Sequence, residues 1–209
     1  PPTPGPSPSA GPRFEEVAEA SGIRHTFRPP GEAPLNILQT IGNGCALFDA
    51  DGDGDLDILL VDDPPALFRN DGKGNFEDVS AASGVGKLRG HFLGVAAGDV
   101  DNDGDTDLYL SGYREGRLLK NDGKGNFADV TRESGLEPQP WGTSATFADL
   151  DRDGRLDLFV CNYVKFGPDT KPQLCYFPMA ENKNQKLLSS CGPKYYDPDK
   201  ATVWRNAGG

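Results

Sequence analysis

The sequence predicts an all-β protein built from similar four-stranded units. An aspartate-rich loop recurs three times at a constant spacing of fifty residues, beginning at Asp49, Asp99 and Asp149. Short apolar runs flank each loop, and their length and their β-branched and aromatic residues are typical of strands. A Gly-rich turn, DGKG, follows the first two loops and is typical of a hairpin. Repeats of about 40–50 residues with four short strands are characteristic of β-propeller blades.

All three loops fit the pattern DxDxDGxxD, which predicts a calcium site in each. Ca²⁺ takes about six to eight oxygen ligands at roughly 2.3–2.6 Å, and carboxylates dominate. The predicted side-chain ligands are Asp49, Asp51, Asp53 and Asp57 in loop 1 (49–57), Asp99, Asp101, Asp103 and Asp107 in loop 2 (99–107), and Asp149, Asp151, Asp153 and Asp157 in loop 3 (149–157). We therefore expect three bound Ca²⁺ ions.

The seventh loop position varies, being Asp55, Asp105 or Arg155. An Arg side chain cannot ligate Ca²⁺, so we expect this position to contribute its backbone carbonyl. An EF-hand is excluded because its loop lies between helices and ends in Glu at position twelve, where this chain has Leu or Val. Metal-free acidic turns are the other interpretation. Four carboxylates in one turn repel by about 1 kcal/mol per pair at 4 Å even in water, which disfavours it.

The net charge of −11 belongs to these loops, because outside them basic residues outnumber acidic ones. The chain has no basic, aromatic-rich patch typical of a nucleic-acid interface, and no apolar run near the ~20 residues of a membrane span. His25 and His91 are interpreted as packed or surface residues. No GxSxG, HExxH or phosphate-binding motif is present, so we expect no enzymatic activity.

The repeats divide the chain into five parts: a Pro-rich arm (1–13), an outer strand with a lead-in segment (14–44), blade 1 (45–85), blade 2 (86–136) and blade 3 (137–209). Blade 3 contains about 35 extra residues, near 163–198. We expect Cys175 and Cys191 to form a disulfide within this insert, because it has no core of its own. A loop of this length gains about 3 kcal/mol from such a bond. Zinc is disfavoured, since the chain has two His and no CxxC.

Cys45 and Cys161 lie in predicted strands. We expect both to be free, buried thiols, and a bond between them is the alternative.

The segments GVAAGDVDNDGDTDLYL (94–110) and LLKNDGKGNFADVT (118–131) closely resemble repeats of the FG-GAP, or VCBS-type, family, in particular its cartilage acidic protein-like bacterial members. The resemblance covers about residues 14–209. It implies propeller-type blades, calcium in each loop, an extracellular or cell-surface setting, and a role in adhesion or interaction. Propellers of this type have about seven blades, whereas three are visible here.

The two ends of the chain carry complementary pieces of a blade. FEEVAEASGI (14–23) matches FEDVSAASGV (76–85), but no blade precedes it, while repeat three stops at VWRNAGG without this outer strand. Two explanations stay open. Either the chain is a fragment of a longer propeller, or the segment from Phe14 to Ile23 completes blade 3 of a neighbouring molecule, with the Pro-rich arm lying along that neighbour. Such head-to-tail strand addition forms rings or filaments.

The sequence therefore predicts a secreted, calcium-loaded module with a structural or interaction role, building a surface structure or fibre. The first alternative is an adhesion domain of a larger propeller that binds a protein or glycan. The second is a non-catalytic accessory domain of a secreted enzyme.

Overall fold

The computed structural model describes residues 11–27, 37–171, 173–178 and 186–208. These residues form several antiparallel sheets with very little helix, which confirms the all-β prediction. Residues 1–10 of the predicted Pro-rich arm lie outside the described residues. No helix in the described ranges is long and apolar enough to cross a membrane.

Blade 1 is a four-stranded antiparallel sheet with neighbouring strands in chain order. Its strands are β1 (Cys45–Phe48), β2 (Asp57–Leu60), β3 (Ala66–Asn70) and β4 (Phe76–Asp78). Loop 1 joins β1 to β2, and the DGKG turn joins β3 to β4. A short helix α1 (Ser80–Ser83) and a 3₁₀ turn (Val85–Lys87) lead to the next blade.

Blade 2 repeats this topology. Its strands are β5 (Phe92–Gly98), β6 (Asp107–Gly112), β7 (Glu115–Asn121) and β8 (Phe127–Asp129). Every residue of β6 is buried. A strand buried on both faces must be covered by a sheet on each side, as its apolar sequence without alternation predicts.

Blade 3 has three paired strands in the order β13-β10-β9. The chain forms β9 (Gly142–Ala148) and β10 (Asp157–Asn162), then the hairpin β11 (Leu174–Pro178) and β12 (Lys186–Ser190), and returns as β13 (Thr202–Trp204). Other 3₁₀ turns span Ile37–Thr40 and Pro193–Tyr195. Among the described residues, no fourth strand pairs with β13.

The blades pack face to face through apolar cores. One core lies between blades 1 and 2 and includes Leu59, Leu67 and Leu108. Another lies between blades 2 and 3 and includes Tyr109 and Val160. A third surrounds the fully buried Trp141, next to the start of the insert. Stacking of this kind confirms blade-like units, and it leaves one sheet face of blade 1 and one of blade 3 without a neighbouring blade among the described residues.

The predicted disulfide between Cys175 and Cys191 is present and connects the two ends of the insert hairpin. Cys45 and Cys161 are free, as expected, but the prediction that they are buried is wrong, because both are exposed. Strand side chains alternate between faces, and the adjacent Ala46 and Val160 point into the inter-blade cores. Each cysteine therefore points to the outer side of an end blade.

The segment that matches an outer strand does not form one within this chain. Residues 14–17 have no regular structure, residues 18–22 form a turn, and Phe14 is 90% exposed. The turn does contact blade 1, where Phe76 N donates to Ser21 O at 2.7 Å. Pairing of this segment with a neighbouring molecule stays a prediction.

Candidate metal centres

Each aspartate loop joins the first strand of a blade to the second, and its first aspartate closes the turn. In loop 1, the Asp49 carboxylate accepts hydrogen bonds from Gly52 N at 2.8 Å and Gly54 N at 2.9 Å. Gly54 has φ of 90°, a conformation that only glycine adopts readily. Asp99 and Asp149 accept the equivalent bonds from Gly104 N and Gly154 N.

The ninth aspartate anchors the loop to the sheet. Asp57 is fully buried, and its two carboxylate oxygens accept hydrogen bonds from Ala50 N and Asn70 N, both at 2.8 Å. Asp107 and Asp157 repeat this arrangement. Burial raises the pKa of the Asp57 and Asp107 carboxyl groups, while these backbone donors act in the opposite direction. A cation beside the carboxylates would likewise favour their charged form.

Three carboxylates gather in every loop, with ligand oxygens within 4.8 Å of one another. The three groups are Asp49, Asp51 and Asp53; Asp99, Asp101 and Asp107; and Asp149, Asp151 and Asp157. The first and third loop positions take part in every group. The fifth position joins them in loop 1, whereas the ninth position joins them in loops 2 and 3.

The predicted ligands outside these groups have other contacts. Asp103 lies 3.2 Å from Lys120 Nζ, and Asp153 contacts the Arg155 guanidinium. Asp57 accepts two backbone hydrogen bonds, as Asp107 and Asp157 also do, so these bonds do not explain why it lies outside the group of loop 1. Hydrogen bonding by Asp105 N, together with Lys120, lowers the pKa of Asp103.

The seventh-position side chains lie against the turn that follows the third strand of the same repeat. A Cβ added to Gly72 or Gly123 would collide with the carboxylate of Asp55 or Asp105, respectively. In loop 3, Arg155 Nε donates to Asn206 O at 3.1 Å. These side chains are thus engaged at the hairpin. Ligation by the backbone carbonyl of this position stays a prediction.

The geometry and chemistry of the carboxylate groups fit a hard cation. Two oxygens bound to one ion at about 2.3–2.6 Å can be no more than roughly 5 Å apart, and the observed groups satisfy this limit. Asp51 Oδ1 is buried and has no hydrogen-bond partner among the described residues. A buried oxygen without a donor is expected where a metal supplies the missing contact.

Basic residues of the third strands also lie beside the carboxylates. Lys120 Nζ contacts Asp101 as well as Asp103, and these contacts raise its pKa. Arg69 occupies the equivalent position in blade 1, with Nη1 3.8 Å from Asp51 Oδ2. Sequence reasoning missed both residues. The signal was available, because a basic residue precedes the recurring Asn of all three repeats: Arg69, Lys120 and Arg205.

A second missed feature is the Asn at the end of each third strand. Asn121 Nδ2 donates to Thr106 O of its own repeat and to Ala50 O of loop 1. Asn206 Nδ2 donates in the same way to Leu156 O and to Val100 O of loop 2. Asn121 and Asn206 therefore each connect the aspartate loop of their own blade to the loop of the preceding blade, whereas Asn70 Nδ2 donates to Leu56 O of its own repeat.

Comparison with known proteins agrees with this geometry. The family described as FG-GAP-like repeat matches residues 49–110 and 99–160. Cartilage acidic protein 1 of Mus musculus is 27% identical over 189 residues, covering 88% of this chain and 28% of the relative. The Homo sapiens protein is 34% identical over 144 residues, covering 68% of this chain and 21% of the relative. The Xenopus tropicalis protein is 32% identical over 109 residues, covering 50% of this chain and 17% of the relative.

The chain spans less than a third of the length of each of these relatives. The matched ranges together run from residue 49 to residue 160, which is more than half of the chain and includes all three aspartate loops. The chain therefore belongs to the FG-GAP-like repeat family.

Proposed function

We propose that this chain is a calcium-stabilised, non-catalytic repeat module with a structural role outside the cell. The observation that carries the proposal is the recurrence of one carboxylate group at the same place in three blades. Carboxylate and carbonyl oxygens suit Ca²⁺. In each loop, the first and third aspartates hold the ion together with the fifth or ninth aspartate and the seventh carbonyl.

The bound ions stabilise the fold by neutralising and cross-linking the loops. Each loop brings at least four carboxylates into one turn, and their mutual repulsion opposes closure of that turn. Because the ninth aspartate is hydrogen-bonded to the end of the third strand, an ion in the loop also stabilises the pairing of that strand with the sheet.

An extracellular setting is supported by the disulfide between Cys175 and Cys191. Such bonds persist mainly in oxidising compartments. The relatives are named for cartilage, an extracellular tissue matrix, which agrees with this setting.

The proposed structural role is head-to-tail self-association into a surface structure or fibre. The outer-strand segment from Phe14 to Ile23 supplies the strand that the edge of blade 3 lacks among the described residues. An unpaired strand edge is a template for another chain, and a head-to-tail contact repeats from one subunit to the next.

Thermal unfolding in EDTA, in excess Mg²⁺ and in excess Ca²⁺ tests the calcium proposal. A ligand at a hundredfold excess over its Kd stabilises by about 2.7 kcal/mol per site. Three such sites rival a typical total stability of about 5–15 kcal/mol. We expect a large rise in Tm with Ca²⁺ and a smaller one with Mg²⁺, which demands a stricter octahedral shell. Equal midpoints in EDTA and Ca²⁺ would contradict the proposal.

A further inference from the structure

The two end faces of the blade stack differ from the inner faces in exposure. We call the side of blade 1 turned away from blade 2 the leading face, and the side of blade 3 turned away from blade 2 the trailing face. On the trailing face, Val203 is 54% exposed, whereas the equivalent Leu67 and Leu118 are 1% and 8% exposed. Leu150 is exposed as well, although the equivalent Ala50 is buried. The trailing face thus has apolar residues at the positions that are buried on the inner faces, but among the described residues no blade packs against them.

The leading face shows the complementary pattern. In blade 3, Phe147 and Leu156 pack toward blade 2, where a Cβ on Gly98 would lie 3.2 Å and 2.9 Å from them, respectively. The equivalent residues of blade 1 are Leu47 and Leu56, and both are exposed. These two positions are therefore open on blade 1, whereas Phe68 on the same face is buried, with the His25 ring beside it.

The segment 14–23 lies against blade 1 in the place that the outer strand of a preceding blade would take. A Cβ on Gly84, at the end of the outer segment of blade 1, would lie 2.8 Å from Phe127 O of blade 2. The equivalent Gly22 makes the same close approach to Phe76 O of blade 1. Residues 14–22 therefore lie against blade 1 where the outer segment of a preceding blade would lie.

We propose that the trailing face of one copy packs on the leading face of a second copy, so that this contact repeats the inner blade-to-blade interface. The inference rests on the self-association proposed above and assigns its two surfaces. Blade 3 supplies three strands, and the segment 14–23 of the next copy supplies the fourth. Asn70 then donates to Leu150 O of the neighbouring copy, as Asn121 donates to Ala50 O within the chain.

This packing brings the two free cysteines together. Val61 N donates to Gly44 O in blade 1, and a Cβ on Gly44 would lie 3.3 Å from Gly94 Cα in blade 2, beside Val95. Val61 and Val95 accordingly pack in one apolar core. Cys161 and Cys45 occupy the equivalent positions on the trailing and leading faces. In the stack, Cys161 of one copy lies next to Cys45 of the following copy.

Two residues make the contact between copies weaker than the inner interfaces. Ser80 Oγ accepts a hydrogen bond from Leu67 N, and Thr131 Oγ1 accepts one from Leu118 N, but the matching residue of the segment 14–23 is Ala18. Ala18→Ser should restore an acceptor for Val203 N. One hydrogen bond of this kind should tighten association by roughly three- to tenfold.

Ser144 is the second such residue. A Cβ on the equivalent Gly94 would lie 2.7 Å from Thr143 O of the next blade, so a side chain at this position holds the neighbouring blade away. Ser144→Gly should therefore also tighten association between copies.

Thiol cross-linking of the full chain in Ca²⁺ tests this arrangement. A short bis-maleimide should give a ladder of cross-linked species with the native chain. A mixture of Cys45→Ser and Cys161→Ser chains should give dimers and no larger species, and either variant alone should give none. Sedimentation velocity over a range of concentrations should show association that Ala18→Ser strengthens.

Each outcome separates this inference from the calcium proposal. If the chain stays monomeric at all concentrations while Ca²⁺ still raises its Tm, then stacking of a second copy is wrong and the calcium proposal stands. If the chain associates but either cysteine variant alone cross-links as well as the mixture, the pairing of these two faces is wrong.

Discussion

Asn121 in blade 2 donates its side-chain amide to the carbonyl oxygen of Ala50 in blade 1, with a distance of 2.8 Å. The same amide donates to Thr106 O at 3.1 Å, in the loop of its own blade. Ala50 N in turn donates to the buried Asp57 carboxylate. A single side chain therefore connects two candidate metal loops, so blade stacking and loop closure are mechanically coupled.

Replacing Asn121 should destabilise the protein more than replacing its counterpart in blade 1. Asn121→Ala leaves the buried Ala50 O without its amide donor, and an unsatisfied buried group costs about 1–3 kcal/mol. Asn70→Ala is the matched control, because Asn70 Nδ2 donates to Leu56 O within its own repeat and sits on the exposed leading face. Urea unfolding of the dilute, monomeric chain in saturating Ca²⁺ measures both, because Asn70 contacts a second copy only in the proposed stack. Equal losses for the two variants would show that the bond between blades contributes nothing.

The repeat made much of this architecture predictable from sequence. The loops, the strands that flank them and the DGKG turns follow from local residue patterns, and β4 and β8 begin at the predicted Phe76 and Phe127. The Asn of each third strand recurs with equal regularity, yet its acceptor lies in another repeat. A pattern within one repeat carries no information about such a contact, which only the stacking of blades creates.

The prediction that the free cysteines are buried was wrong for a related reason. Cys45 and Val95 occupy equivalent strand positions, but Val95 packs against the core between blades 1 and 2, whereas Cys45 has no blade beside it among the described residues. The local sequence of a strand fixes which side chains share a face. It does not determine whether that face is covered. The hairpin within the insert was also not predicted, since the insert lacks the repeat that guided the other strands.

Neighbouring aspartates of loop 1 should differ sharply in their contribution to calcium binding. Asp53 belongs to the carboxylate group, whereas the Asp55 side chain lies against Gly72. Replacing a residue that only hydrogen-bonds to a metal ligand typically lowers metal affinity by about 10–100-fold. Asp53→Asn replaces a ligand itself and should lower the Ca²⁺ affinity at least as much. Asp55→Asn removes the same charge without removing a ligand and should cost about fivefold.

Titration calorimetry with Ca²⁺ measures these two variants against the native chain. Because both substitutions remove one negative charge, their difference isolates ligation from general electrostatics. Similar losses of affinity at the two positions would contradict backbone ligation by the seventh residue.

Breaking the disulfide should loosen the insert and leave the blades intact. Cys175 and Cys191 are 16 residues apart, and closing a loop of that size contributes about 3 kcal/mol in the chain-entropy model. Cys175→Ser should therefore speed tryptic cleavage after the exposed Lys186 in the hairpin. Cleavage after Lys124, in the turn of blade 2, should keep its native rate and serves as the internal control. An increase at both sites would show that the insert supports the blades.

The DGKG turns should carry a titration signature that depends on one amide. Asn75 Nδ2 donates to Asp71 Oδ2 at 2.8 Å, and this bond, with backbone donors from Asn75 and Lys73, lowers the pKa of Asp71. A carboxyl whose pKa is lowered on folding stabilises the turn above its unfolded pKa, and the contribution is lost as the pH falls through its folded pKa. Asn75→Ala should move the Asp71 pKa up toward its ordinary value of 3.8.

NMR titration of the carboxyl carbons measures this shift directly. Asn126→Ala is the matched control, because Asn126 makes the equivalent bond to Asp122 in blade 2 and lowers the pKa of that carboxyl instead. Each variant should raise the pKa of its own aspartate and leave the other unchanged, since the two turns belong to different blades. An Asp71 pKa that stays low in Asn75→Ala would assign the shift to the backbone donors alone, and the side-chain amide would then have no electrostatic role in the turn.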